Sequence, residues 1–429
     1  MAPLLIASAD TIDRPKNSEN IEGNRSNLYG MPNEILYNIF KITPLDAGTL
    51  SNIALCSRKF NDVITPTLYS TFVYKGWCLR SNERFMTTLK KKPELAKHVK
   101  VLEVIGKMGG KVSVEEFNQE HNLTRLLLSL PKLESISFSK PHAKVPFLRA
   151  LEETMRFQTC HRFADLKVVS VDSSDVSDLS QVELDDLDFL TPTSILDILC
   201  LPMEILIANT FCLEVDFDAL HSQNFPTSTT VTRLDLLESR FYTEGLPNLL
   251  ALFTNLTDLR YRVNNKDDPT NPPEDDFPAF KDALEPYQTK PTSLKLSYAN
   301  PSEAFNGESD YPCLQHPIGS LKAFTSLEDL ELPMCLLFGR DAKPCVVLVA
   351  GLFPRSLLRL SLNAVDKDWD ADHCPGDYLE DLARARQDYY PKLESVEINA
   401  PFKKWMENWK LKDTFASAGL ELIINFLES

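Results

Sequence analysis

The chain has 429 residues, 43% hydrophobic and 25% charged, which is ordinary for a soluble globular protein and too long for one compact core unless the fold is extended or repetitive. A formal net charge of -16 opposes general nucleic-acid binding, and no run of 18 apolar residues offers a membrane span. The 9 cysteines form no CxxC pair and no Cys/His cluster at metal spacing, so without a secretory signal they read as reduced core residues of a cytoplasmic or nuclear protein.

Residues 1–27 are polar apart from Pro3–Ala9, which is too short for a signal peptide and lacks a basic flank; they read as a mobile tail. From residue 28 the pattern becomes helical. Pro32 suits a first helical turn, where its missing N–H costs nothing, and Ile35, Leu36, Ile39 and Phe40 recur on one helix face. Thr43-Pro44-Leu45-Asp46 reads as the next start, with Thr43 as N-cap, Pro44 as first helical residue and Asp46 as a first-turn acid, although Gly48-Thr49 weakens it. Leu50, Ile53 and Ala54 give that helix an inner face. Ser57 can cap a third helix carrying Phe60, Val63 and Ile64, ended by Pro66. Helices this short are marginal alone. They carry more large apolar side chains than they can hide from one another, and a partner's groove would solve that. The competing reading is three helices that only cap the domain behind them.

The segment Leu28–Phe72 resembles an F-box, the helical module that joins the Skp-type adaptor of a cullin ubiquitin ligase. The resemblance rests on Met31-Pro32, Glu34-Ile35-Leu36, Ile39-Phe40, Pro44-Leu45-Asp46, Leu50, Ala54-Leu55-Cys56, Arg58, Phe60, and Pro66 with Leu68-Tyr69. It implies that Met31, Pro32, Ile35, Leu36, Ile39, Leu55, Cys56 and Phe60 face the adaptor.

From about residue 95 one pattern recurs: apolar, two residues, apolar, one residue, apolar. Copies are Val99-Leu102-Val104, Leu133-Ile136-Phe138, Leu166-Val169-Val171, Val231-Leu234-Leu236, Leu256-Leu259-Tyr261, Leu327-Leu330-Leu332, Leu357-Leu360-Leu362 and Leu393-Val396-Ile398. Pro291-Leu294-Leu296 is weaker, another copy starts at Leu420, and the double-length gap between 166 and 231 predicts a hidden copy at 201–209. Helix-like segments such as Leu123–Leu130 and Leu246–Phe253 lie between copies. Such a unit cannot bury its face alone, so stacked units share one core. The expectation is an α/β chain: a three-helix F-box at 28–75, then at 76–429 an irregular leucine-rich-repeat solenoid of roughly ten repeats with its asparagine-ladder position mostly missing. The two features together resemble fungal F-box proteins with divergent leucine-rich repeats.

Strand residues beside the inward anchors point to the concave side: Glu103, Ser135, Ser137, Ser170, Arg233, Asp235, Asp258, Arg260, Arg262, Lys295, Asp329, Glu331, Arg359, Glu397 and Asn399. Arg233, Arg260, Arg262, Lys295 and Arg359 form a basic stripe suited to a phosphorylated or acidic substrate segment. The alternative is an ordinary solvated face on which these cations pair with Asp235, Asp258 and Asp329. Three acidic insertions, Asp172–Asp188, Asp267–Asp276 and Asp366–Asp381, would share one rim and could steer a basic partner, or serve only as soluble loops.

Catalytic signals are absent. Gly106–Lys111 (GKMGGK) is one residue short of a phosphate loop and lacks the Ser or Thr after its final lysine. His98, His142, His161 and His316 have no recurring carboxylate or Cys partner. Trp405 and Trp409, four apart, read as core, and no cofactor or metal is implied. The expected function is a substrate-recognition subunit of an SCF-type ubiquitin ligase, without enzymatic activity of its own. Its partners would be a Skp-type adaptor, through it cullin, and a protein substrate. The alternatives are an F-box protein acting outside the cullin complex and a plain repeat scaffold.

Overall fold

Three short helices come first: α1 (Asn33–Ile42), α2 (Ala47–Cys56) and α3 (Arg58–Leu68). The structure is a computed structural model that describes residues 28–43, 45–75, 78–105, 114–139, 163–172, 201–209, 212–213, 227–241, 245–263, 281, 284–298, 318–338, 351–363, 376–400 and 411–426. Thr43 closes α1 instead of capping α2, because its amide and hydroxyl both donate to the Ile39 carbonyl, at 3.0 and 2.7 Å. The cap of α2 is Asp46. Its carboxylate accepts the Gly48 and Thr49 amides at 2.8 and 3.0 Å and the Thr49 hydroxyl at 2.6 Å. Gly48, expected to weaken this start, makes it possible: a Cβ there would lie 2.9 Å from Asp46 Oδ1. Ser57 caps α3 by accepting the Phe60 amide at 3.1 Å. Pro66 lies inside α3 rather than ending it, since in the last turn it removes one amide while the Tyr69 amide still reaches the Thr65 carbonyl at 3.0 Å.

The three helices have their own small core of Leu36, Phe40, Leu50, Ala54, Val63 and Ile64, with Met31, Leu45, Ile53, Phe60 and Leu68 packed against it. It is separate from the cluster that runs through the rest of the chain.

Behind the helices the chain builds one parallel sheet. Its strands are β1 (Thr71–Lys75), β2 (Val101–Ile105), β3 (Ser135–Ser139), β4 (Val168–Asp172), β5 (Ile205–Asn209), β6 (Cys212–Leu213), β7 (Arg233–Phe241), β8 (Asp258–Val263), β9 (Ser293–Tyr298), β10 (Asp329–Pro333), β11 (Arg359–Asn363), β12 (Ser395–Ala400) and β13 (Glu421–Phe426). Twelve of them neighbour one another in chain order, and β6 pairs only with the far end of β7. Helices α4 (Leu79–Lys91), α5 (Val114–Ser129), α6 (Gly245–Ala251), α7 (Met334–Phe338), α8 (Gly376–Tyr389) and α9 (Leu411–Ser417) occupy the connections. The result is an α/β repeat of parallel strands with helices at its N-terminal end.

Register explains why the apolar spacing recurs. Leu102 pairs with Ile136, Ile136 with Val169, Val169 with Leu206, and so on through Leu234, Leu259, Leu294, Leu330, Leu360 and Val396. Two residues on, Val104, Phe138, Val171, Ala208, Leu236, Tyr261, Leu296, Leu332, Leu362 and Ile398 form a second buried row. Both rows face inward because successive strand side chains alternate sides. The copy at 201–209 is present as β5, and the one starting at Leu420 is β13.

Two expectations change. The sheet begins inside the segment expected to be all F-box, because β1 at 71–75 pairs in register with β2. Its anchors Tyr69, Phe72 and Tyr74 keep the repeat spacing but are aromatic, and Phe72 stacks on Phe85 of α4 with ring centroids 3.6 Å apart. The repeat is also longer than roughly ten units, with twelve strands in the main path among the described residues.

Leu330, 2% exposed in mid-stack, tests the shared core. Leu330→Ala should cost about 2–5 kcal/mol in urea unfolding. Ile35→Ala, at a half-exposed helix position, should leave the same transition within about 0.5 kcal/mol.

Candidate functional site

The N-terminal module is two-faced. On α1, Leu36 and Phe40 turn inward while Ile35, Ile39 and Ile42 stay in water, 48%, 38% and 80% exposed; on α2, Leu55 is 72% exposed. Residues 35, 39 and 42 are spaced as one helical stripe. Leu28 and Tyr29 add further exposed apolar surface beside it in sequence. Lys59 fixes this lead-in: its ammonium donates to the carbonyls of Tyr29 at 2.7 Å and Met31 at 2.6 Å. Tyr29 meets Phe60 edge-on at 5.9 Å, and Phe60 meets Phe40 at 6.2 Å.

Of the eight residues expected to face an adaptor, Pro32, Ile35, Ile39, Leu55 and Cys56 are exposed, while Met31 and Phe60 are half-buried. Leu36 must be reassigned. It is fully buried in the module's own core and presents no surface to a partner. Cys56, a core cysteine by composition but adaptor-facing by the resemblance, is exposed at the end of α2, where its thiol donates to the Asn52 carbonyl.

The solvent face of the sheet changes character along its length. Across β2–β5 it carries Val101, Ser135, Val168 and Ile205 in one row and Glu103, Ser137, Ser170 and Ile207 in the next, nearly all small, uncharged and half-buried. Across β7–β11 it becomes charged, and there the expected basic stripe is found together with four carboxylates. Arg233 holds Asp235 with two hydrogen bonds, at 2.9 and 2.7 Å. Arg260 approaches the same carboxylate at 3.8 Å, and Asp235 itself is 4% exposed. Lys295 pairs with Glu331 at 3.0 Å, and Arg359 grips Asp329 through two nitrogens. Hydrogen bonds donated to the Asp235 and Asp329 carboxylates hold the Arg233 and Arg359 guanidiniums above their ordinary pKa. Arg262 stands one row further, opposite Leu237 and Ser297. The face therefore alternates in charge, as in the solvated-face alternative.

At the C-terminal end the same face carries a ladder of amides that sequence reading missed. Asn425 donates to Asn399 at 2.9 Å, Asn399 to Asn363 at 2.8 Å, and Asn363 to Glu331 at 3.2 Å. The signal was present: all three asparagines directly follow the last inward anchor of their repeat.

Burial and then neighbouring Lys97 lower the pKa of His98, which favours a neutral ring. An open groove of about 1120 Å³ between α4 and α5 is lined by Glu83, Met86, Leu89, Lys90, Arg125 and Leu128. Among the described residues no group of three or more His, Cys, Asp or Glu could hold a metal, and no helix is long and apolar enough to cross a membrane. The GKMGGK run, His142, His161, His316, Trp405, Trp409 and most of the three acidic insertions lie outside the described residues.

No protein-family model and no curated protein matches the chain. Among solved structures it is similar to the leucine-rich repeat-containing protein LegL7 from Legionella pneumophila. The TM-score is 0.39 at 13% identity, with 82% of this chain and 90% of that chain covered. That likeness is too loose to bear on function, and the repeat architecture rests on the strand register itself.

Two expectations follow for these surfaces. Asp235→Ala leaves Arg233 and Arg260 facing each other without their carboxylate and should destabilise the sheet by about 1–3 kcal/mol in urea unfolding. Asp46 has its pKa lowered below 3.8, chiefly by hydrogen bonds from Thr49. The depressed folded value means this cap stabilises the module above the ordinary value and is lost as pH falls through the folded one. In a circular-dichroism acid titration, Asp46→Asn should retain most helicity at neutral pH and lose this part of the acid sensitivity.

Proposed function

We propose that this chain is a substrate-recognition subunit of an SCF-type ubiquitin ligase, in which α1–α3 act as an F-box on a Skp-type adaptor. One observation carries the reading. The module spends six side chains on its own core and leaves Ile35, Ile39, Ile42 and Leu55 in water. Fully burying each such side chain is worth about 1.5–3 kcal/mol, so a partner that covers several gains a large fraction of a stable interface. These positions coincide with the F-box resemblance at Ile35, Ile39 and Leu55. Lys59 and Phe60 hold the Tyr29–Met31 lead-in beside them.

In this reading the parallel repeat is a non-enzymatic protein-interaction scaffold. It holds a protein substrate near the ubiquitin-loading enzyme, and the gain in rate is one of effective concentration. A phosphorylated or acidic segment at Arg233, Arg260, Arg262, Lys295 and Arg359 would have to displace Asp235, Glu331 and Asp329 from their present pairs. The face of β2–β5 carries Glu103 and Asp172 but no Arg–acid or Lys–acid pair among the described residues, so it is the better placed surface for substrate.

Pull-down with recombinant Skp-type adaptor tests the docking. An Ile39→Lys, Leu55→Lys double variant should keep its far-ultraviolet circular dichroism and lose at least about thirtyfold in affinity, as for removal of a hot spot of about 2 kcal/mol. Leu36→Ala should instead lower the stability of the module itself. Equal recovery of wild type and the double variant would leave the helices as a cap of the repeat and the chain as a plain scaffold.

A further inference from the structure

Among the described residues β13 lies at the edge of the sheet, and it differs from the main-path strands β2–β5 and β7–β12. In those strands the two inward anchors are buried; in β13 the corresponding Leu422 and Ile424 are only half-buried. Phe426, next in the same row, is 45% exposed, and Ile423 on the solvent face is 37% exposed. Among the described residues no strand pairs with the outer edge of β13. The strand reads ELIINF, with one charge, no Pro and no Gly, which is an edge of the kind that recruits a further strand.

The geometry of the edge specifies what fits it. The Glu421 amide donates inward to the Glu394 carbonyl at 2.9 Å. In a parallel ladder, residues alternate in which neighbour they bond. Glu421, Ile423 and Asn425 therefore address β12, and Leu422, Ile424 and Phe426 direct their N–H and C=O groups outward. We propose that β13 pairs antiparallel with β13 of a second copy of this chain, about a two-fold axis through Ile423.

That register satisfies both faces at once. Leu422 lies opposite Ile424 of the other copy as a hydrogen-bonded pair, and Phe426 opposite Leu420. The two half-covered inward rows then close into one core. On the solvent face Ile423 meets its own copy as a non-hydrogen-bonded pair, the closer of the two pair types. Glu421 meets Asn425, so a carboxylate faces an amide and no carboxylate faces a carboxylate. A slip of one residue would set outward-bonding positions against inward-bonding ones. Centring on Ile424 would set Ile423 against Asn425. The contact is isologous and closes as a dimer. Repulsion between two chains of charge -16 is screened beyond about 10 Å at 0.1 M salt.

Light scattering after size exclusion, run on the full chain across a dilution series, tests this. Wild type should weigh twice the 48.6 kDa of one chain, falling to one on dilution. Ile423→Lys and Ile423→Glu each place like charges on the axis at an exposed position. Each should remain folded by circular dichroism and weaken the dimer at least about tenfold. Mixing the two variants should restore a dimer containing one of each, which a merely destabilising substitution would not do. A wild type that is monomeric at every concentration overturns the proposal. So does a dimer that persists in both variants, or a mixture that stays monomeric.

Discussion

One repeated bond holds the repeats in step. In the main path from β1 to β11, the carbonyl just before each strand accepts two amides from the start of the next strand. Ser70 takes Lys100 and Val101, Lys100 takes Glu134 and Ser135, Glu134 takes Lys167 and Val168, and the series continues through Lys167, Glu204, Thr232, Thr257, Thr292, Glu328 and Leu358. Both donors are backbone groups, so the side chains at these positions can vary from Lys to Glu to Thr without breaking the pattern. A slip of one residue in any strand would turn its anchors to the solvent face. The shared carbonyl therefore fixes where each Leu, Ile or Val row falls, and the long apolar cluster follows from it.

A stack of this kind protects its middle and leaves its ends unsolved. At the N-terminal end the chain sets three capped helices with a core of six residues, too few to absorb the apolar side chains they carry. At the C-terminal end β13 stops with its inward row half covered. Among the described residues the large exposed apolar side chains fall in these two regions, with Tyr389 beyond them. Their placement at the ends is the physical ground for reading both as places where another chain docks.

The face between the ends is graded. Its first strands carry Val, Ile and Ser, its middle strands alternate Arg and Lys with Asp and Glu, and its last strands carry Asn. In the middle, cross-strand neighbours sit close enough that Lys295 and Arg359 found their acids in the adjacent repeat, while Arg233 found its own two residues along its strand. Counting cations alone therefore overstated the positive character of this stripe. The amide ladder is the same effect in neutral form, with Asn425, Asn399 and Asn363 bonded across strands far apart in sequence.

Much of the fold was legible in the chain itself. The spacing of anchors such as Leu133-Ile136-Phe138 marks parallel strands, and a gap of two periods places β5 from spacing alone. Local chemistry also marked Ser57 as a cap. Where local reading failed, longer-range geometry decided. Asp46 rather than Thr43 caps α2 because the chain turns its carboxylate onto two amides past a glycine that leaves room. The first strand hid behind aromatic anchors inside a helical motif. Which apolar residues of α1 are core and which are surface could not be read from periodicity, because Leu36 and Ile35 sit on neighbouring stripes and only the packing of α3 chooses between them. By itself the sequence determined the period, the strand faces and the helical start of the chain, since those depend on spacing along the backbone. Only the tertiary structure decided which charges are neutralised and which apolar side chains remain in water, because both depend on neighbours brought together from distant repeats.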